Sequence, residues 1–365
     1  MPAYRLLEWQ QPARLVEVEV PEPGVGEVLV RVAGVGLCHS DILFLDAPPG
    51  AFPYPVPFTL GHEIGGWVEA TGPGVTGVPA GQAVLVASRP RCGTCSYCRH
   101  GYDNYCESGV TGLGYGRDGG LAEFVVAPVA NLITLANLDP CEAAPLTDAG
   151  KTSYHAVKRV LPKLVPGSTA VVIGVGGLGG YALQYLTRLS STRVIAIDRA
   201  RHRTEAARRL GVKDVVTVDG GPDESSTLRA AVMDLTGGRG AEAIFDFVGS
   251  DATIAAALSL SRPLGTVAIV GAGGGEAHVS WSSVARECEV WIPQGGTQQD
   301  LHEVVALAEQ GLVRSENEIF PLAQVEVAYA RLRAGDLTGR AVVRPGPDAG
   351  VTALGGPTAS DRSEY

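Results

Sequence analysis

Four cysteines, Cys92, Cys95, Cys98 and Cys106, fall within fifteen residues in the run RCGTCSYCRHGYDNYC, spaced C-x2-C-x2-C-x7-C. Two intervening residues let successive thiolates converge on one point, and seven let a short loop return the fourth. This predicts a closed four-sulfur zinc site, structural in role, in a lobe over about residues 90–108. Disulfides would need an oxidising compartment. The N-terminal stretch MPAYRLLEWQ has no charged segment followed by an apolar one, so no secretory leader is expected and the expected location is cytoplasmic. Cluster-binding chains with a similar start continue with C-x3-C-P, which is not found here.

At 365 residues the chain exceeds what one hydrophobic core usually holds, so two domains are expected. No apolar run is long enough to span a bilayer. A net charge of −10 gives no general attraction for nucleic acid or anionic membranes, and neither is expected as a partner. Residues 1 to about 150 alternate apolar and polar positions in runs such as RLVEVEV and EVLVRV, punctuated by Pro and Gly, which reads as β-rich. From residue 151 to about 294 near-continuous apolar strands alternate with helical segments, the pattern of a parallel sheet covered on both faces. Residues 295–345 are expected to return to the first domain, and residues 346–365, rich in Gly, Ser and Pro, to be disordered.

VVIGVGGLGG holds Gly174, Gly176, Gly177 and Gly179 as G-x-G-x-x-G, with a buried strand before it and a helix pattern after it. The next strand ends in Asp198, nineteen residues past Gly179, where a dinucleotide-binding unit carries its ribose acid. A carboxylate there accepts from a free 2′-hydroxyl and repels a 2′-phosphate, so NAD is preferred over NADP, with Arg199, Arg201 and Arg203 partly offsetting the repulsion. The loops Phe247–Gly249, including Val248, and Val270–Ala272 follow strands at their carboxyl ends and are expected to line the cofactor cleft.

Three further segments carry candidates: GLCHSD (Cys38, His39, Ser40, Asp41), GHE (His62, Glu63) and PLTDAGKT (Asp148, Thr152). A lone Cys is usually a core residue, a lone His a satisfied structural one, and an Asp before a small residue a turn. Spacing cannot join positions so far apart.

GHE-x-x-G, the four-cysteine lobe and G-x-G-G-x-G occur in an order that resembles the zinc-dependent medium-chain alcohol dehydrogenases over about residues 3–345, and most of all bacterial secondary-alcohol dehydrogenases. The resemblance implies an α/β chain: a GroES-like β-rich catalytic domain joined to a Rossmann domain with a doubly wound parallel sheet. It implies two zinc ions per chain, and a homodimer or homotetramer. Cys38, His62 and Asp148 match the catalytic-zinc ligands, with Asp148 where many members carry a second Cys. Glu63 matches a carboxylate close to that metal, Asp41 one that orients His62, Thr152 a neighbour of the nicotinamide, and His39 and Arg340 positions facing the cofactor phosphates. Alcohol dehydrogenase is itself a standard example of an open Cys2His zinc site. Arg340 also reads as a surface charge beside a strand.

The implied reaction is hydride transfer between a small alcohol or ketone and the nicotinamide. Ser40 would pass the proton towards the ribose, or cap the helix opened by S-D-I-L. Many members have a relay histidine where this chain has Leu43. Residues 43–58, Ser88 and residues 291–297 are expected to border the substrate pocket, with Phe52, Tyr54 and Trp291 as apolar walls and Gly295–Gly296 leaving room for a bulky group. That favours medium-sized or aromatic secondary alcohols and ketones. The competing readings are a primary aryl or terpenoid alcohol substrate, a zinc-independent reductase of the same superfamily, and a non-catalytic dinucleotide-binding protein.

Overall fold

The structure, a computed structural model, describes residues 1–218 and 224–346, with the backbone alone at 224 and 225. The segment expected to be disordered lies, from residue 347, outside the described residues.

Among the described residues two large sheets dominate. The first has seven strands, in the order Leu132–Thr134, Ala83–Val86, Glu63–Thr71, Glu27–Gly36, Arg340–Arg344, Asn317–Pro321, with Phe124–Pro128 also pairing to Glu27–Gly36. Its centre is the antiparallel pair Glu27–Gly36 and Glu63–Thr71. Val28, Val30, Val32, Val35 and Ile64 are buried along that pair, so the valine-rich alternation read from the sequence becomes the interior face of a curved sheet. The last strand pairs, Asn317–Pro321 and Arg340–Arg344, join this sheet from the far end of the chain.

The second sheet has six parallel strands ordered Asp214–Thr217, Arg193–Asp198, Thr169–Ile173, Ala241–Asp246, Ser261–Ile269, Glu289–Trp291. The order runs outward from the first strand in both directions, so the carboxyl ends of Thr169–Ile173 and Ala241–Asp246 part at the topological switch point. All five residues of Thr169–Ile173 are buried, as a strand covered on both faces requires. Helices Gly177–Leu189 and Ala149–Val160 pack together over it.

The helix Gln298–Glu309 packs against helix Ala149–Val160, and Asp300 is one of the side chains that fasten it. Asp300 Oδ2 accepts from the Thr297 amide (2.9 Å) and hydroxyl (2.8 Å) in a capping box. The same carboxylate pairs with His155 Nδ1 at 2.8 Å and Lys158 Nζ at 3.1 Å on helix Ala149–Val160. Burial alone would raise the Asp300 pKa, but the His155 and Thr297 contacts outweigh it and hold the carboxyl well below the usual range. A depressed folded pKa means stability that is present above the unfolded value, about 3.9, and is lost as pH falls below it. Asp300→Asn is therefore expected to cost about 2 kcal/mol at neutral pH, with the deficit closing below about pH 4. Urea midpoints at several pH values check this, and an equal deficit at pH 3 and pH 7 would contradict it.

Candidate active site

Cys38 and His62 lie at adjacent ends of the central antiparallel pair. The strand Glu27–Gly36 runs into Cys38, and His62 leads into Glu63–Thr71, with Gly36 and Glu63 opposite each other in register. Cys38 is the N-cap of helix His39–Asp46, in a capping box with Asp41. The expectation that Ser40 caps this helix is thus corrected: Ser40 is the second helical residue, and the Cys38 sulfur takes its amide at 3.5 Å. Asp148 reaches the same point from a segment distant in sequence. It precedes helix Ala149–Val160, and its carboxylate makes no capping bond to that helix.

The donors meet. Cys38 Sγ is 3.4 Å from Asp148 Oδ2, and His62 Nε2 is 3.6 Å from that oxygen. One donor atom from each of Cys38, His62, Glu63 and Asp148 lies within 4.8 Å of all the others. Tetrahedral zinc with ordinary bond lengths sets its ligand atoms about 3.5 Å apart, so the set fits that ion. Asp41 Oδ1 sits 3.0 Å from His62 Nδ1, and its Oδ2 accepts the Cys38 amide at 3.1 Å. Asp41 thereby holds the imidazole ring with Nε2 towards the cluster. Burial and the nearby Asp148 push the Cys38 thiol up. Burial also works against the Asp148 carboxylate, but His62, Lys151 and Arg340 hold it well below its usual range. Such crowding of buried donors is what a bound dication relieves.

Glu63 is fully buried behind these groups, and its Oε2 has no hydrogen-bond partner. A Cβ on Gly36 would fall 2.0 Å from that oxygen, so the absent side chain is what admits Glu63. Its other oxygen pairs with Arg340, which is 4% exposed. The alternative of Arg340 as a surface charge is corrected: the guanidinium is buried between Glu63 and Gly177 of the glycine loop. Burial pushes the Glu63 carboxyl up to about 7, and Arg340 opposes that rise.

The four lobe cysteines also converge, all within 4.8 Å, with Cys92 and Cys98 sulfurs 4.0 Å apart. The amides of Thr94 and Cys95 point at Cys92 Sγ at 3.4 and 3.3 Å. The Cys95 amide is the chief reason that the Cys92 thiol is lowered to about 5, which suits a thiolate ligand.

The glycine loop is built for close approach. Gly174 has φ +85° and abuts Val248. Gly176 is the N-cap of helix Gly177–Leu189 without a side-chain cap, which leaves the first amides for an anion. A Cβ on Gly179 would lie 1.9 Å from the Gly174 carbonyl oxygen. Gly179→Ala is expected to destabilise by about 1–3 kcal/mol and weaken dinucleotide binding, read by thermal unfolding with and without NAD; an unmoved melting point would show that the turn gives way freely. Asp198 accepts from the Val175 amide at 2.7 Å and the Ala200 amide at 2.8 Å, while Arg199 is exposed. Sequence reasoning passed over Asp246. Its Oδ1 accepts the amides of Val248 and Gly249, and its backbone carbonyl takes that of Val270, so it organises both loops. Thr152 Oγ1 hydrogen-bonds Asp148 Oδ1 at 3.1 Å, and His39 is exposed beside the cluster.

A cavity of about 240 Å³ opens beside the metal cluster. One wall is aromatic: Phe44, Tyr54 and Tyr115, with ring centroids 5.6 to 6.2 Å apart. Ser40 and Ser88 also face it. The rest departs from the expected apolar lining, for Arg89, Asp103, Asn104, Lys151, Gln294 and Gln298 border it. Phe52 stacks on Trp9 and Tyr54 instead, and Trp291 is covered by Arg159 at 4.3 Å. The expected room at Gly296 is also taken, because a Cβ there would meet Lys151 Cγ at 2.8 Å.

Comparison with known proteins agrees with this architecture. Residues 24–137 match the alcohol dehydrogenase GroES-like domain, and residues 177–310 the zinc-binding dehydrogenase domain. An NAD-dependent alcohol dehydrogenase of Sulfurisphaera tokodaii is 32% identical over 94% of this chain and 100% of its own. The crystal structure of the alcohol dehydrogenase of Aeropyrum pernix superposes with a TM-score of 0.86 at 37% identity, covering 94% of this chain and 100% of that one. Acetophenone reductase of Geotrichum candidum in complex with NAD superposes with a TM-score of 0.83 at 30% identity, covering 94% and 96%. Identity of 32% sustained over 94% of the chain, with family matches in both halves, is more than a shared fold alone produces: the chain belongs to the zinc-dependent medium-chain alcohol dehydrogenase family and is an enzyme of that family.

Proposed function

We propose that this alcohol dehydrogenase uses NAD and acts on medium-sized or aromatic secondary alcohols and their ketones. It carries one zinc at Cys38, His62 and Asp148, with Glu63 close by, and a second at Cys92, Cys95, Cys98 and Cys106. The observation that carries the reading is the meeting of Cys38, His62 and Asp148 from three distant segments at one point beside a cavity. The aromatic wall suits a substrate with an apolar face, and the NAD-bound acetophenone reductase among the similar structures supports both halves of the proposal. When bound, zinc supplies Lewis acidity towards the substrate oxygen and the nicotinamide accepts hydride.

The chain's own groups do the rest. Asp41 fixes the His62 tautomer, and Thr152 holds Asp148. Ser40 Oγ, 3.6 Å from Cys38 Sγ and facing the cavity, takes the substrate hydroxyl proton. Partial desolvation beside the cluster, with Arg340 and Arg203, lowers the His39 pKa, and this imidazole would accept that proton in place of the relay histidine replaced by Leu43. Asp198 turns its charge to the ribose and disfavours a 2′-phosphate.

We further assign residues 1–150 and 295–345 to the catalytic lobe and 151–294 to the dinucleotide lobe, in a cytoplasmic dimer or tetramer. The strand Glu289–Trp291 has one free edge among the described strands, and Trp281 and Ile292 nearby are 81% and 73% exposed, which suits docking of a second copy. Turnover of a panel of primary and secondary alcohols with NAD and NADP, together with metal analysis, tests the whole reading. The expected result is NAD-linked oxidation of secondary aryl alcohols and about two zinc ions per chain. Preference for NADP or for primary alcohols would overturn the respective part.

A further inference from the structure

Lys151 is the one lysine facing the cavity beside the metal cluster. It is 7% exposed and makes no hydrogen bond or ion pair among the described residues. Its stem runs along Gly296, where any side chain would strike Cγ, so the glycine is spent on seating this lysine. It also stands in the first turn of helix Ala149–Val160, where a cation adds to the positive end of the helix dipole instead of opposing it. Burial lowers its pKa and Arg89 adds to that, while Asp148, Asp103 and Asp300 only partly compensate. A buried ammonium without a direct ion-pair partner is costly, and folds retain one where a ligand supplies the contact.

The carboxylates near it, Asp148, Asp103 and Asp300, act on it from a distance and are each bonded elsewhere. Arg89 borders the same cavity, and its hydrogen bond goes to the Asn104 carbonyl at 3.4 Å, with no carboxylate partner among the described residues. Asp103 is the acid on this wall, but both its oxygens accept the Gln298 amide, at 3.1 and 3.3 Å, at the start of helix Gln298–Glu309. Asp148 is held by His62, Cys38 and Thr152. The cavity therefore opposes an aromatic wall, Phe44, Tyr54 and Tyr115, to a wall with two cations and an acid already engaged.

We propose that Lys151, assisted by Arg89, anchors a carboxylate of the substrate, so that the preferred substrates are secondary alcohols and ketones that also bear a carboxylate. The inference rests on the dehydrogenase reading above and deepens it. The apolar part of the substrate lies on the aromatic wall and its anion faces Lys151, which selects orientation as well as class. Arg89 presents a planar fork that matches a carboxylate. A polyhydroxylated neutral substrate would use the same polar groups but would leave both cations without a charge.

The test uses the zinc- and NAD-loaded enzyme with matched pairs: 1-phenylethanol against 4-(1-hydroxyethyl)benzoate and its 3-isomer, 2-butanol against 3-hydroxybutanoate, and a pentitol. The acids are expected to show the higher kcat/KM. Lys151→Met should reduce the acid-to-neutral ratio by roughly 30-fold or more, since removing one partner of a buried charge pair costs at least about 2 kcal/mol. Lys151→Arg should restore part of the ratio, and Arg89→Gln should lower it less. Benzoate, but not benzamide, should raise the melting temperature of the wild type and not of Lys151→Met, a readout that needs no turnover. Equal use of acids and neutral partners, a preference for the pentitol, or a uniform loss on all substrates in both lysine variants would overturn the proposal. Should no alcohol react while benzoate still protects through Lys151, the dehydrogenase reading fails and the anion site stands.

Discussion

Replacing His62 with alanine is expected to lower kcat/KM by roughly a thousandfold, because the metal's stabilisation of developing charge is worth several kcal/mol and each 1.4 kcal/mol is about tenfold. The variant should also lose about one of two zinc ions per chain, while the cysteine lobe keeps the other. The physical ground is the geometry of the cluster. His62 Nε2 and Cys38 Sγ both lie near Asp148 Oδ2, at 3.6 and 3.4 Å, so the removal of one leaves two crowded anions without the neutral donor. Asp41→Asn probes the same centre more gently. Asp41 accepts from His62 Nδ1 and from the Cys38 amide at once, and its loss frees both the ring and the helix cap. Loss of such an orienting carboxylate typically costs ten- to a hundredfold, so a drop of roughly that size in zinc affinity and kcat/KM is expected. Metal analysis beside kinetics decides the matter: a His62→Ala enzyme that keeps full zinc and full rate would remove the metal from the reaction.

Cys92→Ser or Cys106→Ser should be the most destabilising change in the molecule. The lobe has almost no core of its own. Its short helix Ser96–Arg99 buries no side chain, and the turn Asp103–Tyr105 buries Asn104 alone. Without apolar burial, a segment of this length folds on its metal, and in isolated zinc-binding peptides that coupling is worth ~10 kcal/mol or more. Losing even a few kcal/mol of that coupling, at the usual ~2–4 °C per kcal/mol, gives an expected fall in the melting temperature on the order of 10 °C. The effect should reach the reaction, because the lobe forms one wall of the substrate cavity. Asp103 caps helix Gln298–Glu309, and Asn104 Nδ2 donates to the Gln294 carbonyl at 3.0 Å. KM should therefore rise with the loss of the lobe, although none of its cysteines touches substrate. Differential scanning calorimetry and steady-state kinetics test both parts, and a variant with the parent melting point and KM would show that the lobe is held by other means.

Much of this was legible in the chain itself wherever the chemistry is contained in a few consecutive residues. The C-x2-C-x2-C-x7-C spacing can close only on a small sphere, and the four sulfurs do close. The run VVIGVGGLGG must be a buried strand that turns sharply into a helix, because Gly179 tolerates no Cβ beside the Gly174 carbonyl. The alternation of apolar strands and helices forecast a parallel sheet, and the strand order followed the dinucleotide-binding pattern. Cys38, His62 and Asp148 were each ambiguous alone, and only the family resemblance grouped them. In the fold they are drawn together by the register of one strand pair and by the start of one helix.

The cavity walls were decided by tertiary structure alone. Arg89, Asp103, Lys151 and Gln298 stand on four separate segments, and no local period marks them as neighbours. The pair Gly295–Gly296 reads in sequence as space; Gly295 does border the cavity with nothing within 4 Å of an added Cβ, but the space at Gly296 belongs to the Lys151 stem. Ser40 reads as a helix cap, but the helix begins already at His39, which makes Cys38 the cap. Local spacing determines which atoms can share one ion or one turn, since the chain itself limits their separation. The composition of a pocket depends on which distant surfaces come to face each other, and that is settled by packing.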